Sequence, residues 1–140
     1  MTTALDTNVL VALWNKDESL NLLAQSALDA ALDNGGLVIA APVFAELLAF
    51  PEREEPFLND FFRETGIAID WKLDEAVWRT AGRAYQGYTV RRKKDRGLEP
   101  RRILADFLIG AHAVRNEYRL LTLDAGLYRA AFPRLSIVSL

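Results

Sequence analysis

Four carboxylates stand where apolar runs break: Asp6 in TALDTNVL, Glu46 in APVFAELL, Asp106 in ILADFLIGAHA and Asp124 in LLTLDAGLY. Each follows a strand-like run or falls in the first turns of an apolar helix, where a doubly wound α/β sheet opens its ligand crevice. Brought together, they would form an oxygen-only cage suited to a hard divalent cation such as Mg2+ or Mn2+. The chemistry that such a cage supports is phosphodiester hydrolysis, because a held cation acidifies water and neutralises charge that develops on phosphate.

Short strands must position these acids. Thr2 to Leu5 reads as a buried strand, with Asp6-Thr7-Asn8 as the turn and cap of a following helix. Leu20, Leu23, Ala24, Ala27, Leu28, Ala31 and Leu32 recur at amphipathic-helix spacing, and Asn34-Gly35-Gly36 stops that helix. Leu37 to Ala40 is the next strand, and Pro42 suits the first turn of a helix that carries Glu46 and ends at Pro51. A helix from Pro56 to Glu64, a strand from Ile67 to Ile69 and a helix capped by Asp74 and running into Tyr88 follow. Ile103 to Val114 is apolar nearly all round, as expected of a central buried helix. Tyr118 to Leu123 gives a strand, Leu127 to Ala131 a short helix, and Leu135 to Val138 a last strand. The alternation predicts an α/β fold with a parallel sheet between layers of helices.

Each acid also has a purely structural reading. Asp6 and Asp124 could cap helices, Glu46 could face solvent, and Asp106 could favour a helix N-terminus. Asp106 shares one helix face with Ile109, Gly110 and Ala113, small enough to allow close approach of another element.

Composition narrows the chemistry. The 140 residues are 51% hydrophobic, which suits one domain over residues 1–140 with a substantial core. Apolar runs are interrupted before they reach the length of a membrane span, and the opening MTTALDTN lacks a basic leader, so the expected address is cytoplasmic. Without cysteine there are no thiolate zinc sites, disulfides or thiol nucleophiles. The one histidine, His112, lies inside an apolar helical run and is expected to pack and to hydrogen-bond with a backbone group. Asp70, another strand-end acid, is left outside the site.

Charge is unevenly spread. Arg91, Arg92, Lys93, Lys94, Arg96, Arg101 and Arg102 face only Asp95 and Glu99, a local surplus of five cations on a chain with a formal net charge of −2. This block is a candidate grip for a phosphate backbone beside an acidic site, or a solvated helix end. Trp14 and Tyr128 are candidates for stacking a base.

The pieces LDTNVLVAL, PVFAELL, ADFLIGAHA and LLTLDAGLYRAAFPRLSIV, in that order, resemble the PIN-domain ribonucleases, most closely the VapC-like toxins of type II toxin–antitoxin pairs. The resemblance covers both ends and the centre of the chain. It implies a three-layer α/β/α sandwich around a mostly parallel sheet of four to five short strands, and a Mg2+- or Mn2+-dependent endoribonuclease. Asp6, Glu46, Asp106 and Asp124 would carry the family's catalytic and metal-binding cluster, supported by Asn8 and Thr122. It further implies RNA as substrate, a homodimer and a small antitoxin partner. The basic, glycine-containing segment from Tyr88 to Pro100 departs from a lean family member. Rival readings are a non-catalytic scaffold of the same fold that binds RNA or protein, and a haloacid-dehalogenase-type phosphatase. The latter asks for a second acid where Asn8 stands.

Overall fold

A computed structural model describes residues 1–15, 18–50, 53–94 and 104–140. Strands β1 (Thr3–Leu5), β2 (Leu37–Ala40), β3 (Ala68–Asp70), β4 (Arg119–Thr122) and β5 (Ile137–Ser139) form one sheet in the order β3-β2-β1-β4-β5. All its pairings are parallel, with Ala4 opposite Val38 on one side and Leu120 on the other. Helices α1 (Thr7–Trp14), α2 (Glu18–Asn34), α3 (Ala41–Leu48), α4 (Glu55–Thr65), α5 (Glu75–Lys94), α6 (Leu104–Arg115) and α7 (Ala125–Ala131) flank it. The architecture is therefore the α/β fold that the alternation of strands and helices predicts.

Burial explains why the strands read as uninterrupted apolar runs. Every residue of β1 and β2 is buried, as are Leu120 to Thr122 of β4, whereas the edge strands β3 and β5 are partly exposed. Strands covered on both faces have no polar face to alternate with. From β1 the chain steps outward through β2 and β3, then crosses to β4 on the other side of β1. The strand order reverses between β1 and β4, so the crevice beyond their carboxyl ends is the expected ligand site.

Two boundaries differ from the sequence reading. Helix α5 continues past Tyr88 to Lys94, because arginine and lysine are good helix formers and the charge run does not interrupt the hydrogen-bond ladder. The last strand begins at Ile137, later than Leu135, whose side chain is buried before the strand starts.

Helix α6 is buried continuously from Phe107 to Ala113. Gly110 lies against the ring of Phe132, and a Cβ there would overlap that ring. Phe132 is itself buried, which leaves it little room to give way. Gly110→Ala is therefore expected to cost about 1–3 kcal/mol of stability through overpacking. Chemical denaturation of the two proteins would check this; an unchanged midpoint would show that Phe132 swings aside freely.

Candidate active site

The end of β1 delivers Asp6 into a dense set of hydrogen bonds. Its carboxylate is 4% exposed; Oδ1 accepts the Thr7 backbone N–H at 2.8 Å and Oδ2 accepts the Thr122 hydroxyl at 2.7 Å. The backbone N–H of Asp6 donates to the Leu121 carbonyl at 3.0 Å, extending the β1–β4 register by one step. Asp6 is thus the N-cap of α1 and a cleft residue at once. The capping and site readings do not compete.

Thr122 couples the two central strands. While its hydroxyl donates to Asp6, its oxygen accepts the Asp124 backbone N–H at 2.9 Å, which fixes the turn after β4. Asp124 itself makes no side-chain capping bond to α7. Asn8, in the first turn of α1, reaches across with Oδ1 to accept the Leu123 N–H at 3.2 Å. Thr7, absent from the sequence-based set, donates its hydroxyl to Glu46 Oε1 at 2.6 Å and so ties α1 to α3. The half-buried position of Glu46 replaces the solvent-face alternative with a fixed one.

Asp6, Thr7, Asn8, Glu46, Asp106 and Asp124 all line one cleft of about 370 Å³ beyond the carboxyl ends of β1 and β4. Val11, Leu20 and Phe50 give it an apolar wall. The four carboxylates predicted to meet therefore share a single crevice. Among the described residues, however, no three acidic groups lie close enough to form a finished metal shell. A larger cavity of about 760 Å³ lies at the opposite ends of the strands, between Arg83, Arg115 and Arg134, with Glu117 its single carboxylate. Size does not identify the chemical site here; the convergence of acids does.

Burial and the nearby charge of Glu46 push the Asp6 carboxyl above its ordinary value, against the opposing effect of hydrogen bonding from Thr122, Tyr128 and the Thr7 backbone. Beneath the cleft, α7 places Tyr128 fully buried, so it cannot stack a base as the sequence suggested. Burial, then the negative charges of Asp6 and Asp106, raise its phenol far above the usual range, so it stays protonated. Trp14 is also engaged in packing. Phe57 and Phe61 meet its ring edge-on at 5.4 and 5.0 Å, and the Arg53 guanidinium lies 5.3 Å from its centroid.

His112 finds a carboxylate rather than the expected backbone partner: its Nε2 is 2.9 Å from Asp70 Oδ2. Burial works to raise the Asp70 carboxyl, but the His112 hydrogen bond, the Lys72 backbone N–H and the charges of His112 and Lys72 outweigh it and hold the carboxyl below its ordinary value. Neither residue lines the acidic cleft, which agrees with leaving both out of the site.

Only part of the basic block falls within the described residues. Arg91 is exposed and Arg92 half-buried near the end of α5; Lys93 and Lys94 complete that helix, and Arg96, Arg101 and Arg102 lie outside the described residues. Tyr85 and Tyr88 pack on Phe107 with centroids 4.9 and 5.5 Å away. The later turns of α5 thus lie against the start of α6, which carries Asp106.

The PIN domain family matches residues 3–133, and the chain belongs to that family. No curated protein matches it at a significant level. Among solved structures, it is similar to VapBC-1 of nontypeable Haemophilus influenzae, with 20% identity, a TM-score of 0.68, and coverage of 99% of this chain and 98% of the other. VapBC2 of Rickettsia felis, bound to a fragment of its promoter DNA, is similar with 20% identity, a TM-score of 0.64 and coverage of 100% and 99%. A toxin–antitoxin complex from Klebsiella pneumoniae gives 18% identity, a TM-score of 0.66 and coverage of 97% and 95%. At these identities the likeness is one of fold. Among the described residues, no helix is long and apolar enough to cross a membrane.

Proposed function

We propose that this PIN domain is a divalent-cation-dependent endoribonuclease and the toxin of a toxin–antitoxin pair. One observation carries the reading: Asp6, Glu46, Asp106 and Asp124 open onto one cleft at the point where the strand order reverses. The donor set suits Mg2+ or Mn2+, being carboxylate, amide and hydroxyl oxygen with no sulfur or imidazole at the cleft. The absence of three clustered acids among the described residues is compatible with Mg2+, which keeps several waters and commonly uses one or two carboxylates plus substrate phosphate. When bound, the cation would acidify a water and offset charge on the phosphate.

The chain's own residues have distinct tasks in this scheme. Asp6, held by Thr7 and Thr122, presents a fixed carboxylate; Asp106 and Asp124 face it across the cleft. Glu46, fixed by the Thr7 hydroxyl, is placed to orient an attacking water. Asn8 and Thr122 fix the turn beneath Asp124. Arg91, Arg92, Lys93 and Lys94, at the end of the helix that packs beside Asp106, would hold flanking phosphates, with Arg96, Arg101 and Arg102 continuing the grip. Similarity to toxin–antitoxin complexes supports a cognate antitoxin, and a homodimer completes the proposed assembly.

The test uses end-labelled structured RNAs and DNA oligonucleotides of the same sequences, incubated with purified protein and Mn2+. Internal cleavage of RNA, abolished in Asp106→Asn, is expected. Cleavage of DNA alone would redirect the substrate, and binding of RNA without cleavage would favour the non-catalytic scaffold.

A further inference from the structure

We propose that Tyr128 is a positioning residue of the acidic cleft, whose hydroxyl completes the support of Asp6 when a cation is bound; the inference rests on the cation-dependent reading above. The Tyr128 side chain is fully buried, and its hydroxyl has no hydrogen-bond partner among the described residues. Buried hydroxyls rarely stay unpaired, and those that do call for an explanation. This one lies beside the Asp6 carboxylate, near enough to favour its ionised form, and within electrostatic reach of Asp106 and Glu46. A phenol is a donor, and everything charged around it is an acceptor.

Asp6 already accepts from Thr7 and Thr122, one donor to each oxygen. Each carboxylate oxygen has a further lone-pair direction. A small settling of Asp6 toward a cation would let the Tyr128 hydroxyl donate to it, so that three donors hold the carboxylate. The pairing would then exist in the loaded site and be missing from the empty one. Deleting the hydroxyl should therefore act on cation affinity and not on the cation-free fold. A tyrosine that merely fills space would show the opposite pattern.

Tyr128→Phe removes only the oxygen. Melting curves of wild type and variant, taken in chelator and across a Mn2+ titration, separate the possibilities. In chelator the variant is expected to melt at or above the wild-type temperature, because an unpaired buried polar group has been removed. Its Mn2+-dependent rise should need about 10-fold to 100-fold more Mn2+, the range for loss of a group that orients a ligand. RNA cleavage should fall at low Mn2+ and recover at saturating Mn2+. Equal Mn2+ midpoints, or a variant that melts lower in chelator, would overturn the role of Tyr128 while leaving the cation reading intact. A wild type that Mn2+ does not stabilise would sink the cation reading and this inference with it.

Discussion

Asp6→Asn should abolish cleavage while making the cation-free protein more stable, and the two effects have one cause. Asp6 is almost fully buried and shares its cleft with three other carboxylates, so its charge is costly until a cation offsets it. Asparagine keeps the shape: its oxygen can accept from the Thr7 N–H, and its amide can donate to the Thr122 hydroxyl oxygen. Cleavage should fall by at least about 100-fold, beyond what loss of a merely supporting group produces. The stability effect has a definite sign. Because the folded carboxyl lies above its unfolded value of 3.8, the folded state holds more protons than the unfolded chain as pH rises past that value. Stability in chelator is then greatest below this point and is lost as pH rises through the raised folded value. Asparagine has no proton to lose, so the gap in favour of the variant should open with pH. Thermal melts in chelator from pH 4 to pH 8 check this, and a variant that melts below wild type throughout would contradict it.

Phe107→Ala should produce the largest loss of stability of the substitutions considered. Phe107 is fully buried, stacks on Tyr85 with an interplanar angle of 22° and contacts Tyr88, so it is the main aromatic link between α5 and α6. Removing it is expected to cost about 3–5 kcal/mol, a large part of the roughly 5–15 kcal/mol that holds a domain together. The melting temperature should drop by on the order of 10 °C. Phe107 also follows Asp106 directly, so Phe107→Leu, which keeps more of the volume, should weaken cleavage more than its smaller stability loss would explain. A Phe107→Ala protein that melts within a degree or two of wild type would mean that the contact between α5 and α6 does not depend on this ring.

The positions of the acids were legible because a parallel sheet covered on both faces leaves strand ends as nearly the only places for charge. That is why Asp6, Glu46, Asp106 and Asp124 could be chosen before their shared cleft was known. Contacts between distant residues were not legible. Nothing in the sequence pattern links His112 to Asp70, and a backbone partner was the ordinary expectation for a buried imidazole. Thr7 was read as part of a cap because its bond to Glu46 depends on how α1 meets α3. Tyr128 was read as a surface aromatic because the short helix α7 gives too few turns to show which face is inward. The end of α5 was drawn too early for a different reason, the mistaking of charge for loss of helix.

The central claim is that the acidic cleft gathers a divalent cation. Counting bound Mn2+ from the loss of the free-ion electron paramagnetic resonance signal tests it directly, with wild type, Asp6→Asn and Asp106→Asn titrated side by side. The account predicts saturable uptake of at least about one ion per wild-type chain and much weaker uptake by both variants while they remain folded. Uptake that is absent from wild type, or the same in all three proteins, would contradict it.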